Sequence, residues 1–356
     1  MSFVRRKIAF GRILAGLLLS LVFFLSACVP EDSGAYDRGL DALAAGDYET
    51  AMTEFTAAEK TDGRRAESYR GQGLVYFNKG DYKYAAKLFS MSLSAMTYDN
   101  EEFETDVLFY RAESLMRNGQ YEDAEKDYGI LIEGEKKALA YALLGEDKLF
   151  MKDAAGAEEC FAKAVEYEPD FDIYLLIYEA ASAAGAKTKG IAYLEQALKL
   201  PCSTAEDYAN YGKACFYLDD YDGAKEALNQ AMDMGNHEAM LILGKVYLNE
   251  KDLDAAKNLY LRYRNSGIRL ADCNNGLAMC FAEEGDYEKA LYYIGLGISS
   301  GDPAAMESLL FNEIVIYERM NDFITAKQKM ADFLKNYPLD SQGRREYKFL
   351  SPRPEG

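Results

Sequence analysis

The chain contains one histidine, His237, and no tryptophan in 356 residues. A single imidazole excludes metal sites built on several histidines and leaves histidine-dependent triads one candidate base with no partners. Basic side chains are scarce as well. Forty Lys and Arg stand against 59 Asp and Glu, a net charge of −19. That balance excludes the basic face with which a nucleic-acid binder neutralises phosphates. A membrane-spanning helix needs about 20 apolar residues, and the apolar run at 13–25 has 13. No Cys-x-x-Cys pair occurs among the six cysteines. The composition still permits a core, because 49% of residues are apolar and 28% are charged, which is not the signature of a disordered acidic chain.

Further catalytic and metal arrangements fail on inspection. His237 lies in a Met-Gly-Asn-His-Glu turn and has no second ligand or base beside it. Asp219, Asp220 and Asp222 suggest calcium, but Tyr221 stands where an EF-hand loop requires a ligand, so they read as an inter-helix turn. Gly212-Lys213-Ala214 follows no glycine-rich loop and lacks the hydroxyl that follows Lys in a phosphate loop. Cys160, Cys202, Cys215, Cys273 and Cys280 are odd in number, so at least one is unpaired in a monomer. Cys273 and Cys280 are seven residues apart on one helix, a rise of about 10 Å, too far for a bridge. The reading is of a protein that is not an enzyme, with no metal and no cofactor.

The N-terminus has an address. Arg5, Arg6, Lys7 and Arg12 precede the short apolar run, and Leu25-Ser26-Ala27-Cys28 follows it. Basic start, short apolar stretch and small residues in that order describe a secretory signal peptide. The tetrapeptide resembles the lipobox of bacterial lipoproteins, whose cysteine is lipidated and becomes the mature N-terminus. The resemblance implies a signal peptide at 1–27, lipidation at Cys28 and a tether at 28–34. Loss of 1–27 removes four basic residues and no acidic one, which takes the net charge of −19 to −23.

An internal period organises the rest. Gly46-Asp47-Tyr48, Gly80-Asp81-Tyr82, Gly119-Gln120-Tyr121, Asp219-Asp220-Tyr221 and Gly285-Asp286-Tyr287 recur. Three residues after each aromatic comes Ala51, Ala85, Ala124, Ala224 or Ala290; Ala157, Gly190, Ala256 and Ala326 fill the same position in weaker copies. Four residues later stands a large apolar residue, as at Phe55, Phe89, Tyr128, Phe161, Leu228 and Tyr260. Twelve residues before the Ala is another small position: Gly39, Gly73, Ala112, Gly145, Gly212, Gly244 and Ala278, broken by Tyr178 and Ile314. Large apolar residues at helical spacing on both sides of a polar turn describe paired amphipathic helices. Small residues let the helices approach and aromatics fill the space.

In the fourth copy, Tyr141, Leu144-Gly145, Ala157, Phe161, Ala164 and Pro169 give a frame that resembles the tetratricopeptide repeat. Gly235-Asn236-His237-Glu238-Ala239 with Leu243-Gly244 leans towards the related Sel-type repeat. The resemblance implies an all-α, right-handed α-solenoid of about nine helix pairs over 34–338. A capping segment follows at 339–356, where Tyr347, Phe349 and Leu350 would cover the last apolar face. An insertion near 94–105 lengthens a loop or helix between copies two and three. The fifth copy, 181–190, is poor in bulky anchors and is expected to be a flexible point; Gly190 costs its helix about 1 kcal/mol.

In such repeats the residues just after the first small position, and four or five beyond it, commonly face a concave groove. The first set includes Glu113, Glu146 and Glu179, then Lys213 and Lys245; the second includes Phe77, Asn78, Arg117, Phe150, Phe216, Tyr217 and Asn249. Apolar anchors beside alternating charge suit an extended peptide or a helix laid along the groove. In the competing reading, these Glu and Lys pair across neighbouring repeats and only solvate the groove. The Lys/Asn clamp for a free carboxylate is absent, since Tyr211, Asn210 and Lys213 do not reproduce it. The expectation is a lipid-anchored scaffold on the extracytoplasmic face of a bacterial membrane. Its partner is a protein or peptide and not a nucleic acid. The alternative is a solute- or glycan-binding lipoprotein, suggested by 28 Tyr and 18 Phe.

Overall fold

The computed structural model describes residues 34–61, 63–337 and 340–353. The leader and Cys28 lie outside the described residues. Among the described residues there are nineteen α-helices and no strand. They fall into two compact units, divided between 169 and 170.

The first unit holds four helix pairs: α1 (Gly34–Ala44) with α2 (Tyr48–Thr61), α3 (Arg65–Asn78) with α4 (Tyr82–Ala95), α5 (Glu101–Arg117) with α6 (Tyr121–Leu131), and α7 (Lys137–Phe150) with α8 (Ala154–Tyr167). The second holds five: α9 (Phe171–Ala183) with α10 (Lys187–Ala197), α11 (Ala205–Tyr217) with α12 (Tyr221–Asp233), α13 (Ala239–Glu250) with α14 (Leu253–Asn265), α15 (Leu270–Glu284) with α16 (Tyr287–Ser299), and α17 (Pro303–Arg319) with α18 (Phe323–Asn336). α19 (Ser341–Leu350) then packs on α18 and buries Leu350 against Ile314, Met330 and Phe333. Each unit is a stack of tetratricopeptide-type helix pairs, and the fold class is all-α.

The recurring Gly-Asp-aromatic triplet explains the pairing. The Gly ends the first helix in the left-handed region, as Gly46 (φ 74°) and Gly285 (φ 82°) do. The Asp then caps the second helix: Asp81, Asp153, Asp220, Asp252, Asp286 and Asp322 each accept a hydrogen bond from a backbone N–H three residues on. Four copies place a residue with a side chain in the same left-handed position: Lys152 (φ 66°), Asp219 (φ 62°), Lys251 (φ 65°) and Asn321 (φ 62°). Asp and Asn tolerate that region because their short polar groups bond locally, whereas Lys adopts it at a cost.

The aromatic of the second helix is wedged between two glycines. A Cβ on Gly39 would come within 2.7 Å of the Phe55 ring, and one on Gly71, in the next first helix, within 2.6 Å of the same ring. Tyr260 is held likewise by Gly244 and Gly276, at 2.2 and 2.3 Å. One side chain thus welds a pair to its successor. Full burial of such a ring contributes about 2–3 kcal/mol.

The fifth copy corrects an expectation. It is not poor in anchors: Phe171, Ile173, Tyr174, Leu175, Leu176, Ile177 and Tyr178 of α9 are all buried. Bulk has moved from the second helix to the first. Tyr178 fills a position that is small in most copies, and Gly190 faces it; a Cβ there would lie 3.0 Å from the Tyr178 Cα. Gly190 therefore makes room for Tyr178. The insertion in copy three is absorbed by residues 96–100 and by a 17-residue α5, capped by Asn100 accepting from the Phe103 N–H at 3.0 Å.

Candidate functional site

First helices touch first helices along each stack: α1 with α3 and α3 with α5 in the first unit, and α9, α11, α13, α15 and α17 in succession in the second. They form a layer whose polar side chains meet across the contacts. Arg70 of α3, 5% exposed, pairs with Asp106 of α5 at 2.5 Å. Asn210 of α11 donates to Asp172 of α9 at 3.0 Å. Asn275 of α15 donates to Ser308 of α17 and accepts from Asn312, at 3.1 and 2.7 Å.

The expected groove residues sit in this layer, but most are engaged by it. Glu113 is 1% exposed and ion-paired with Arg117, one turn along the same helix. The Arg117 guanidinium also donates to the Tyr82 hydroxyl at 3.2 Å and lies over that ring, 5.3 Å from its centroid. Burial opposes charge on Arg117, yet Glu113, Tyr82 and Glu146 outweigh it and raise its pKa. Glu146 is buried. Glu179, 8% exposed, pairs with Lys213 of α11 at 2.9 Å and accepts from the Tyr217 hydroxyl at 2.7 Å. Phe216 and Tyr217 are buried, and Tyr217 stacks on Tyr178 with centroids 4.7 Å apart.

Glu113, Glu146 and Glu179, expected to face a partner in the groove, are buried instead, and Glu179 pairs across neighbouring repeats as in the competing reading. Glu179 reaches the neighbouring first helix, whereas Glu113 pairs along its own. The junction between the acidic run and the basic step is a buried Glu179–Lys213 pair. Phe77 is half-buried, edge-on to Tyr82 and Tyr110. Lys245 is half-buried, and Asn78 and Asn249 are exposed at the ends of α3 and α13. Phe150 is 39% exposed and lies parallel to Tyr121, with centroids 6.2 Å apart.

Tyr82 and Tyr121 were missed as surface residues. The recurring triplet announced them as helix starts; as first residues of second helices they also stand at the rim of the first-helix layer. Phe77, Tyr82 and Arg117 form one half-exposed aromatic and guanidinium cluster in the first unit, and Tyr121 with Phe150 forms a second. Asp147, beside Glu146, was also missed.

Elsewhere the geometry offers little reactivity. Burial pushes the thiols of Cys215, Cys273 and Cys280 up to about 12, so they are unreactive near neutrality. His237 packs against the Tyr263 ring at 5.8 Å. Among the described residues no group of three or more His, Cys, Asp and Glu could hold a metal, and no helix is long and apolar enough to cross a membrane. An open cleft of about 1060 Å³ lies by the C-terminal ends of α2 and α4, lined by Lys60, Arg65, Lys87, Tyr69 and Tyr98 among others. Both tyrosine hydroxyls there are bonded, to Glu59 and Glu67.

Tetratricopeptide repeat models match residues 36–100, 106–133 and 212–267. The chain is 26% identical over 127 residues to BBSome complex member BBS4 of Bos taurus, covering 35% of this chain and 24% of that one. It is 25% identical over 166 residues to the mitochondrial import receptor subunit TOM70 of Saccharomyces cerevisiae, covering 46% of this chain and 27% of that one. The matches thus span about a quarter of these relatives. Among solved structures it is similar to yeast Tom70 (TM-score 0.46, 16% identity, 89% of this chain and 87% of that one). It is also similar to a tetratricopeptide repeat protein of Parabacteroides merdae (TM-score 0.42, 16% identity, 69% and 97%).

Proposed function

We propose that this tetratricopeptide-repeat chain is a non-catalytic scaffold that binds a protein or peptide segment along its first-helix layer. The two half-exposed clusters of the first unit, Phe77–Tyr82–Arg117 and Tyr121–Phe150, carry the reading. Aromatic and arginine side chains are the types that dominate interface energies, because they bury large area and, in arginine's case, offer a planar fork of donors. Asn78, next to Phe77, supplies an exposed polar group. On the first-helix layer of the second unit, Lys245 is half-buried and Asn249 is exposed. The buried Glu113, Glu146, Glu179, Phe216 and Tyr217 and the half-buried Lys213 hold the layers in shape and act on a partner only through them. The net charge of −19 favours a basic or neutral partner over nucleic acid.

The double variant Phe150→Ser, Tyr121→Ser tests the site. Crosslinking in the native host, followed by identification of co-purified proteins, should lose the wild-type partner while the circular dichroism spectrum stays helical. Undiminished capture moves the site off this layer.

Anchoring is part of the proposal. The order of basic start, short apolar run and Leu25-Ser26-Ala27-Cys28 supports lipid attachment at Cys28, removal of 1–27 and an extracytoplasmic position on a bacterial membrane. Several acyl chains on one residue hold a protein to a bilayer far better than one. Cys28→Ala should release the protein from the membrane fraction or leave an unprocessed precursor. Identical N-terminal mass and fractionation in variant and wild type count against the anchor.

A further inference from the structure

Asp147 lies on α7, two residues beyond Gly145, in the seam where α7 packs on α6. Its side chain is fully buried, and neither carboxylate oxygen has a hydrogen-bond partner. A bare carboxylate in that position has no hydrogen bond to compensate its burial, and the charge of Lys148 offsets that burial only in part. Its surroundings make ionisation harder still. Glu125 and Glu122 face it from α6 and Glu113 from α5. The nearby cation on its own helix, Lys148, is already bound to Glu125 at 2.6 Å. Tyr128, also facing the seam from α6, is fully buried with an unpartnered hydroxyl, and burial raises its pKa, so it stays neutral. Burial first, and the charge of Glu125 second, push the Asp147 pKa up to about 7.

We propose that the α6–α7 seam is a proton-operated latch, which a protonated Asp147 keeps shut and which an ionised Asp147 loosens. The direction follows from linkage. An opened seam exposes Asp147 to water, where an aspartate titrates near 4. The closed seam therefore holds a proton that the open one releases. Between about pH 4 and 7, opening becomes tenfold more favourable with each unit of rising pH, and above 7 it levels off. α6 carries Tyr121 and α7 carries Phe150, so the latch governs how firmly that stacked pair is seated. The latch itself stands on the burial and neighbours of Asp147 and does not depend on the binding reading.

Native-state hydrogen exchange of the full chain at pH 5 to 8, with the intrinsic rate removed, tests it. Protection of the amides of 137–150 should fall about 100-fold between pH 5 and 7 and then level off. Asp147→Asn, a neutral shape mimic of the protonated acid, should flatten that profile. Equal slopes in variant and wild type overturn the latch, as does a flat wild-type profile. If the variant does not fold, a carboxyl-carbon NMR titration of the wild type decides: a midpoint for Asp147 near 7 supports the latch, and one near 4 overturns it.

Discussion

Removing the Arg117 side chain leaves the Glu113 carboxylate, 1% exposed, without the cation that balances it. Breaking one partner of a buried pair costs more than the pair contributes, because an uncompensated charge stays behind. Arg117→Ala should therefore cost about 3 kcal/mol in urea unfolding. Replacing both partners, Glu113→Leu with Arg117→Met, should recover most of it. If the single and double variants lose the same stability, the pair is not the cause. The glycines make a similar point about packing. Gly145→Ala gains helix propensity, yet its new Cβ would come within 2.4 Å of the Phe161 ring. Overpacking wins over a propensity gain of about 1 kcal/mol, so this variant should be less stable by about 1–3 kcal/mol. These small positions were legible in the sequence because they recur at one spacing. The fate of Glu113, Glu146 and Glu179 was not. Their spacing says that they share a position, but whether that position meets water or the next helix depends on how closely first helices approach.

Each helix pair turns on a left-handed residue, followed in most copies by a capping Asp; Gln120 and Ala186 stand in that place in the third and fifth copies and make no side-chain cap. Five related triplets, three of them Gly-Asp-Tyr, together with the small residue three positions on, marked nine copies in the sequence, and with them the pairing and the period. The copies that lack Gly were weaker signals, though the backbone there is the same. Lys152 and Lys251 adopt φ near 65° without the side-chain compensation open to Asp219 and Asn321. Lys152→Gly should therefore stabilise the chain by about 0.5–1 kcal/mol, read as a higher urea midpoint with unchanged slope. Lys152→Ala, which keeps the Cβ, should give no such gain. The fifth pair shows why bulk is a poor guide when only one helix is counted. A large residue on the first helix and a glycine on the second fill the same volume as the usual small-and-large order. The sequence shows Gly190 and the run of alanines; the compensation by Tyr178 appears only once α9 and α10 are packed.

At the scale of the whole chain, stability in neutral solution carries a pH dependence set by buried acids in both units. In the second, Glu318 of α17 is pushed up to about 7, first by burial and then by the like charge of Glu346 on α19, against a smaller opposing effect of Arg353. One of its oxygens is buried without a hydrogen-bond partner. The folded state therefore holds a proton that the unfolded chain releases near its ordinary value of about 4.3. Stability falls as pH rises from about 4 to 7 and levels off above that. An excess of acidic residues at the surface acts in the same direction, through self-repulsion, but it is screened by salt, whereas a buried carboxyl is screened much less. Salt thus separates the two causes. Glu318→Gln should raise the melting temperature at pH 8 by a few degrees, leave it nearly unchanged at pH 4, and keep that difference in 0.5 M salt. A gain of equal size at both pH values would mean that the glutamine stabilises by a neutral contact of its own. A gain that vanishes in salt would assign the effect to surface charge, and the contact of α19 with α17 would then carry no pH dependence.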